Sequence, residues 1–234
     1  MSSTLLSSLA KYSTCELSDA LIKIGLPHGG HIPDIRMLSP RPGPADVRVC
    51  GPVYTVQMVM ASDKNAPKPA AHFVDTAPEG SVIVIDAPPH TKNAVWGGLM
   101  TAGAKARGAL GVIISGRCRD LAEHRSAGFP VFARGNSTLG QSPFTRPSAV
   151  NVPITIVPQD TGSGDRAVDF PAIRVEPGDY VVADEDGVVC VPRGMLETVV
   201  QMAAKGREID SRCMEDIVAG TGVQEAFKRH RGKL

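Results

Sequence analysis

Two periods of apolar residues alternate along the chain, and the switches between them mark the expected elements. In "STCELSDALIKIG" (13–25), Leu17, Leu21 and Ile24 share a helical face, Ser13 and Glu16 form a capping box, and Gly25 is the stop. The following "LPHGGHIPDIRMLSPRPGPAD" is rich in proline and glycine and predicts loop or edge structure. "VRVCGPVYTVQMVM" (47–60) alternates in the strand manner and predicts a strand with a break near Gly51-Pro52. "SDKNAPKPAAHFVDTAPEG" reads as loop, short helix and turn. "SVIVIDAP" (81–88) is a continuous apolar run, the pattern of a strand covered on both faces.

A helix is expected from Ala94 to Arg107, a strand from Leu110 to Ser115, and a shorter strand within "FPVFARG" (129–135). Strand, helix, strand, loop and strand in that order make a right-handed crossover unit on a mostly parallel sheet. The polar segment 136–153 reads as a lid or interface loop. In "AIRVEPGDYVVADEDGVVCVP", turn signals at Pro177-Gly178-Asp179 and at 184–187 separate apolar runs and predict a small antiparallel β unit. A long helix follows from Met195 to Ile217, with Leu196, Val199, Val200 and Ala203 on one stripe. The tail, 221–234, is basic and expected to be mobile. Residues 1–234 are thus read as a single α/β domain with a mixed sheet, a C-terminal β unit and a long helix.

Composition narrows the function classes. Lys and Arg number 25 against 24 Asp and Glu, a net charge of +1, so no broad basic field invites nucleic acid. Five scattered cysteines without a C-x-x-C pair argue against a disulfide framework or structural zinc, and fit buried thiols in a reducing compartment. No apolar run reaches the roughly 20 residues that span a bilayer, and the first residues lack a secretory pattern. The closing Gly-Lys-Leu is off-pattern for a peroxisomal address. A cytoplasmic protein without membrane partners is expected.

Gly97-Gly98, where a strand hands over to a helix, has two readings. Missing side chains let backbone N–H groups at a helix start approach an anion, or they only permit close helix–sheet packing. Arg119-Asp120 lies just past the carboxyl end of the next strand, where open α/β sheets bind ligands. A solvated surface pair is the plain alternative. Glu123 lies three residues beyond Asp120, so a helical turn there would point both carboxylates the same way. Two carboxylates with waters suit magnesium, and a guanidinium with backbone donors suits a small oxo-acid whose keto oxygen gains charge.

Other candidates carry bland readings beside functional ones. His28 and His31 form a possible metal pair on a loop too soft to hold it. His124 is a general acid or a polar loop residue. Asp184 and Asp186 form a turn, and Cys118 lacks the partners of a nucleophile. Glu208 and Asp210 are solvated helix-face residues unless they reach a neighbouring subunit's site. Gly162-Ser-Gly164-Asp165 is too short and loop-like for the adenosine site of a methyltransferase.

The residues then meet a family. Twenty residues intervene between Gly98 and Arg119-Asp120, and two more precede Glu123. This resembles the G-x20-R-D-x2-E/D signature of the class II 4-hydroxy-4-methyl-2-oxoglutarate aldolases, a family that includes the regulator of ribonuclease activity A. "NAVWGGLMTAGAKARGALGVIISGRCRDLAEHR" and "VEPGDYVVADEDGVVCVPRGML" both resemble family segments, so the likeness covers roughly residues 80 to 217. The insert around "QSPFTRPSAVN" looks like the fungal members.

The resemblance implies a compact swivelling β/β/α fold, a homotrimer or hexamer, and sites at subunit interfaces. It implies that Asp120 binds a divalent metal, Mg²⁺ or Mn²⁺, and that Glu123 holds its water ligands. Arg119 would contact the substrate keto oxygen, and the backbone amides of Gly97, Gly98, Leu99 and Met100 would hold its carboxylate. Asp210, with Glu208 as the alternative, would reach the metal site of the adjacent subunit. The implied activity is metal-dependent cleavage of a 4-hydroxy-2-oxo dicarboxylate to pyruvate, with oxaloacetate decarboxylation through the same enolate. The alternative is a non-catalytic trimer that regulates a partner such as a ribonuclease. One departure stands out: some active members carry an acidic residue where this chain has Gly98. No Schiff base is needed, so Lys92 and Lys105 are spare.

Overall fold

The computed structural model describes residues 3–41, 47–159 and 170–232. The N-terminal layer is α1 (Ser3–Leu9) and α2 (Thr14–Lys23). Both halves of the expected capping box form: Ser13 accepts from Glu16 N–H, and Glu16 accepts from Ser13 N–H. Arg207 adds two bonds to the same Glu16 carboxylate and holds it at about 2, below the usual range. Gly25 follows in the left-handed region at φ +97°.

The strands are β1 (Arg36–Ser39), β2 (Val49–Met60), β3 (Val82–Asp86), β4 (Ala94–Trp96), β5 (Gly111–Cys118) and β6 (Val131–Asn136). They continue with β7 (Thr145–Val150), β8 (Ile154–Ile156), β9 (Ile173–Val175), β10 (Tyr180–Asp184) and β11 (Gly187–Val191). The remaining helices are α3 (Gly98–Ala106), α4 (Leu121–Ala127), α5 (Leu196–Val218) and α6 (Val223–His230). The main sheet runs β1-β6-β5-β3-β2-β10-β11, with β4 on β5 and β7 on β2, while β8 and β9 pair separately. Strands β2, β3, β5 and β6 are mutually parallel, the crossover pattern expected from the alternation of elements.

Gly51-Pro52 does not break β2. It marks the place where the strand changes partner, from antiparallel β10 at 49–52 to parallel β3 at 53–57. The two ends of the sheet nearly meet. Ile32 N–H donates to Val188 O, and Cys190 N–H donates to Gly30 O, just before the chain enters β1. Gly30 sits at φ +67°, and a Cβ there would lie 2.3 Å from Cys190 O, so only glycine lets these edges close.

Three apolar layers result. One fills the interior of the nearly closed sheet, around Val84, Ile113, Phe132 and Val181. A second lies under α3 and α4, around Ile83, Ile114, Trp96 and Phe129. The third packs α2 and α5 on the β10–β11 hairpin through Leu17, Leu21, Val189, Leu196 and Val199.

Several expectations need correction. No helix forms in 62–80, where Pro67, Pro69, Pro78 and Gly80 interrupt the segment and leave too short an uninterrupted run to bury a helical stripe. Residues 94–96 form β4 and not the start of a helix, because they hydrogen-bond along β5. The 136–153 segment is only partly loop, since 145–150 zip onto β2 as β7. The tail is not loose over its whole length: Ala226 is buried beside Cys213, and Arg229 and His230 both bond Asp216, which docks α6 on α5. Gly162, Gly164 and Asp165 lie outside the described residues.

Candidate active site

Strand β5 and helix α3 bring the candidate residues together. Arg119 N–H donates to Trp96 O at 2.9 Å, so the chain leaving β5 is tied to β4. Asp120 then turns through the left-handed region (φ 61°, ψ 43°), an uncommon conformation for a non-glycine residue and costly enough to need support. Its carbonyl accepts from Glu123 and His124 N–H and starts α4. Its side chain does not cap that helix. Instead Asp120 Oδ2 accepts from Gly98 N–H at 2.9 Å and lies 3.5 Å from Arg119 Nε.

The glycine pair is explained by these carboxylates. A Cβ on Gly97 would lie 2.6 Å from Asp120 Oδ2, and one on Gly98 would lie 1.5 Å from Glu123 Oε2. Both acidic groups therefore rest on the first turn of α3, whose positive end favours them. Glu123 fills the space that a side chain at 98 would take, so a carboxylate is present there after all, delivered from α4. The Gly98 N–H is committed to Asp120. Among the described residues, the Leu99 and Met100 N–H groups have no protein acceptor, because the first bond of the helix is Thr101 N–H to Gly97 O. Those two amides are left free to donate.

The residues line an open cleft of about 230 Å³, together with His72 and Gln141. The Arg119 and Asp120 side chains are 46% and 34% exposed at its mouth. Arg119 also packs on Gly140, where a Cβ would lie 2.9 Å from Nη1. Neither His72 nor Gln141 was singled out by sequence, because 72 and 141 reach the cleft from loops with no fixed spacing to the motif.

His124 is neither a surface loop residue nor at the mouth. It is buried in α4, its Nδ1 is 2.9 Å from Thr101 Oγ1, and Thr101 accepts from Trp96 Nε1 at 2.9 Å. This chain of bonds braces β4, α3 and α4 behind the cleft, and burial pushes the imidazole below its usual pKa. Cys118 is buried, with its thiol pushed up to about 12, which removes it as a nucleophile. His28 Nδ1 accepts from Gly30 N–H, and His31 bridges to Val189, so both serve the loop that closes the sheet.

Glu208 and Asp210 lie outside this cleft in the same chain. Glu208 pairs with Arg212 on its own helix, and Asp210 pairs with Arg231 beside a second groove lined by Asp19, Lys23 and Lys205.

Among the described residues, no three His, Cys, Asp or Glu side chains gather as a metal group. Among the described residues Asp120 Oδ1 has no hydrogen-bond partner, and Glu123 lies beside it on the same helix turn. Such a pair does not fit a closed zinc-type site. It fits a hard divalent cation that retains most of its waters.

An Arg-Asp pair just past β5, facing a glycine-led helix on a nearly closed mixed sheet, defines an α/β protein with an open cleft between them. A family model described as "RraA-like: Aldolase/RraA" matches residues 14–190, and the chain belongs to that family. It is 33% identical over 172 residues to the Halalkalibacterium halodurans protein named "Putative 4-hydroxy-4-methyl-2-oxoglutarate aldolase", covering 74% of this chain and 72% of that one. It is 29% identical to Protein DlpA of Legionella pneumophila over 95% of its length, but spans only 33% of that protein. Among solved structures, an uncharacterized protein from Pseudomonas syringae pv. tomato superposes with a TM-score of 0.77 at 29% identity, covering 97% of this chain and 98% of that one. Streptomyces coelicolor RraAS2, described as an unusual member of the RNase ES inhibitor RraA family, shares the fold at 23% identity and TM-score 0.73, covering 90% and 96%.

Proposed function

We propose that this cleft carries a divalent-metal-dependent lyase activity. Its substrates are 4-hydroxy-4-methyl-2-oxoglutarate or related 4-hydroxy-2-oxo dicarboxylates, cleaved to pyruvate and a second oxo-acid. Oxaloacetate decarboxylation follows from the same pyruvate enolate. The observation that carries this reading is the meeting of Asp120 and Glu123 with the first turn of α3, beside Arg119 and two open backbone donors. Relatives named as aldolases support it.

In this reading the Leu99 and Met100 N–H groups take the substrate's C1 carboxylate at the positive end of α3. Arg119 donates to the keto oxygen, held in place by the Gly140 backbone and by its own contact with Asp120. Its charge is then already oriented where the enolate oxygen becomes negative. Asp120, with Glu123 acting through water, would hold the Mg²⁺ or Mn²⁺, which supplies Lewis-acid polarisation of the keto group when bound. The substrate's 4-hydroxyl proton would leave to solvent as the C3–C4 bond breaks, and the pyruvate enolate left behind would take a proton from solvent at C3. The chain would act as a homotrimer or hexamer, with Asp210 of a neighbouring copy completing the site.

Purified protein is expected to release pyruvate, read by a coupled assay, from both oxaloacetate and 4-hydroxy-4-methyl-2-oxoglutarate in the presence of Mg²⁺. Absence of pyruvate from every oxo-acid offered would replace this reading with that of a non-catalytic binding protein.

A further inference from the structure

The donors described so far account for only one end of an oxo-dicarboxylate. The C1 carboxylate and keto oxygen use the α3 amides and Arg119. A second carboxylate bound in the same cleft and left without donors would carry a desolvation penalty. Two polar side chains from separate loops line the cleft, His72 and Gln141, and among the described residues neither His72 Nε2 nor the Gln141 side-chain amide has a hydrogen-bond partner.

His72 is well held. Its ring stacks on Phe73 at 4.7 Å and 24°, and Phe73 is fully buried. Its Nδ1 accepts from Val74 N–H at 3.3 Å. That bond uses Nδ1 as an acceptor, so the ring nitrogen able to donate is Nε2. Gln141 is held through its backbone, since its carbonyl accepts from both Phe144 and Thr145 N–H. The loop carrying it is tied to β4 by Ala94 N–H to Leu139 O at 2.9 Å, and the adjacent Gly140 cradles Arg119. Among the described residues the Gln141 amide has no partner, so its N–H groups are available. Neither anchor uses His72 Nε2 or the Gln141 side-chain amide, so both groups remain free to donate.

We propose that His72 Nε2 and the Gln141 amide receive the second carboxylate of the substrate and set the preference of this cleft for oxo-dicarboxylates over oxo-monocarboxylates. The inference rests on the reading of the cleft as an oxo-acid site. It does not depend on turnover.

The test is calorimetric binding of 2-oxoglutarate, which has the second carboxylate but no cleavable 4-hydroxyl, against pyruvate, both with Mg²⁺. Wild-type protein should bind 2-oxoglutarate more tightly. The double variant His72→Ala/Gln141→Ala should lose roughly 10- to 100-fold in 2-oxoglutarate affinity, the scale of hydrogen bonds to a charged group, while its pyruvate affinity holds. His72→Gln, which restores an amide donor near the Nε2 position, should recover part of the loss in an otherwise wild-type chain relative to His72→Ala. Equal weakening of both ligands, or no weakening of either in a variant with the wild-type melting temperature, would overturn the proposal. If discrimination holds in a protein that releases no pyruvate, the lyase reading fails and this assignment stands.

Discussion

Asp120 and Asp184 are both aspartates at the end of a strand, and the fold treats them in opposite ways. Asp184, at the end of β10, is almost fully buried. Its Oδ1 accepts from Thr14 Oγ1 at 2.6 Å and from Asp186 N–H at 3.1 Å, its Oδ2 accepts from Thr14 N–H at 2.9 Å, and Arg48 Nε lies 3.8 Å away. Its carboxylate links the first turn of α2 to the β10–β11 hairpin, and both oxygens are in use. Asp120, just past β5, has one backbone donor on Oδ2, none on Oδ1, a left-handed backbone and an exposed face. A saturated carboxylate stabilises the fold. An unsaturated one, kept in a costly conformation at a cleft, has coordination left for a ligand.

That contrast can be broken or sharpened by substitution. The largest effect is expected at the open carboxylate: Asp120→Ala should lower pyruvate turnover on the order of 10²–10³-fold, while leaving the melting temperature near that of the parent. At the saturated carboxylate the effect moves to stability. Asp184→Ala leaves the buried Thr14 donors unpaired and should cost about 1–3 kcal/mol, read by denaturant unfolding, with turnover per folded molecule unchanged. The smallest effect is expected at Gly98→Ala. Its φ is ordinary, so alanine should change stability by no more than about 1 kcal/mol. The new Cβ must displace the Glu123 carboxylate, a flexible side-chain end, and turnover should fall about tenfold. Reversed outcomes at Asp120 and Asp184, stability lost at the first and activity at the second, would erase the distinction.

Much of this was legible in the sequence where the physics is local or periodic. The Ser13–Glu16 box depends on residues three apart, the α5 stripe on a 3.6-residue period, and the β10–β11 hairpin on its turn residues, and all three formed. The Gly98–Arg119 interval was legible for a similar reason, since one helix and one strand span it. What the pattern could not carry was long-range. β4 exists because residues 94–96 find β5, and α6 exists because Asp210 and Asp216 lie ready for Arg231, Arg229 and His230. Asp184 read as a turn former because its partner Thr14 is 170 residues away. Gly98 read as a missing carboxylate, whereas the structure places Glu123 in that space. His72 and Gln141 carry no motif at all.

The central claim is that the cleft between α3 and Arg119-Asp120 performs metal-dependent chemistry on an oxo-acid. The most direct measurement is pyruvate release from oxaloacetate and 4-hydroxy-4-methyl-2-oxoglutarate on one preparation, before chelation, after chelation and after Mg²⁺ is restored. Turnover should be present, be abolished by chelation and return with the metal. Turnover that persists unchanged in the chelated protein would contradict the account.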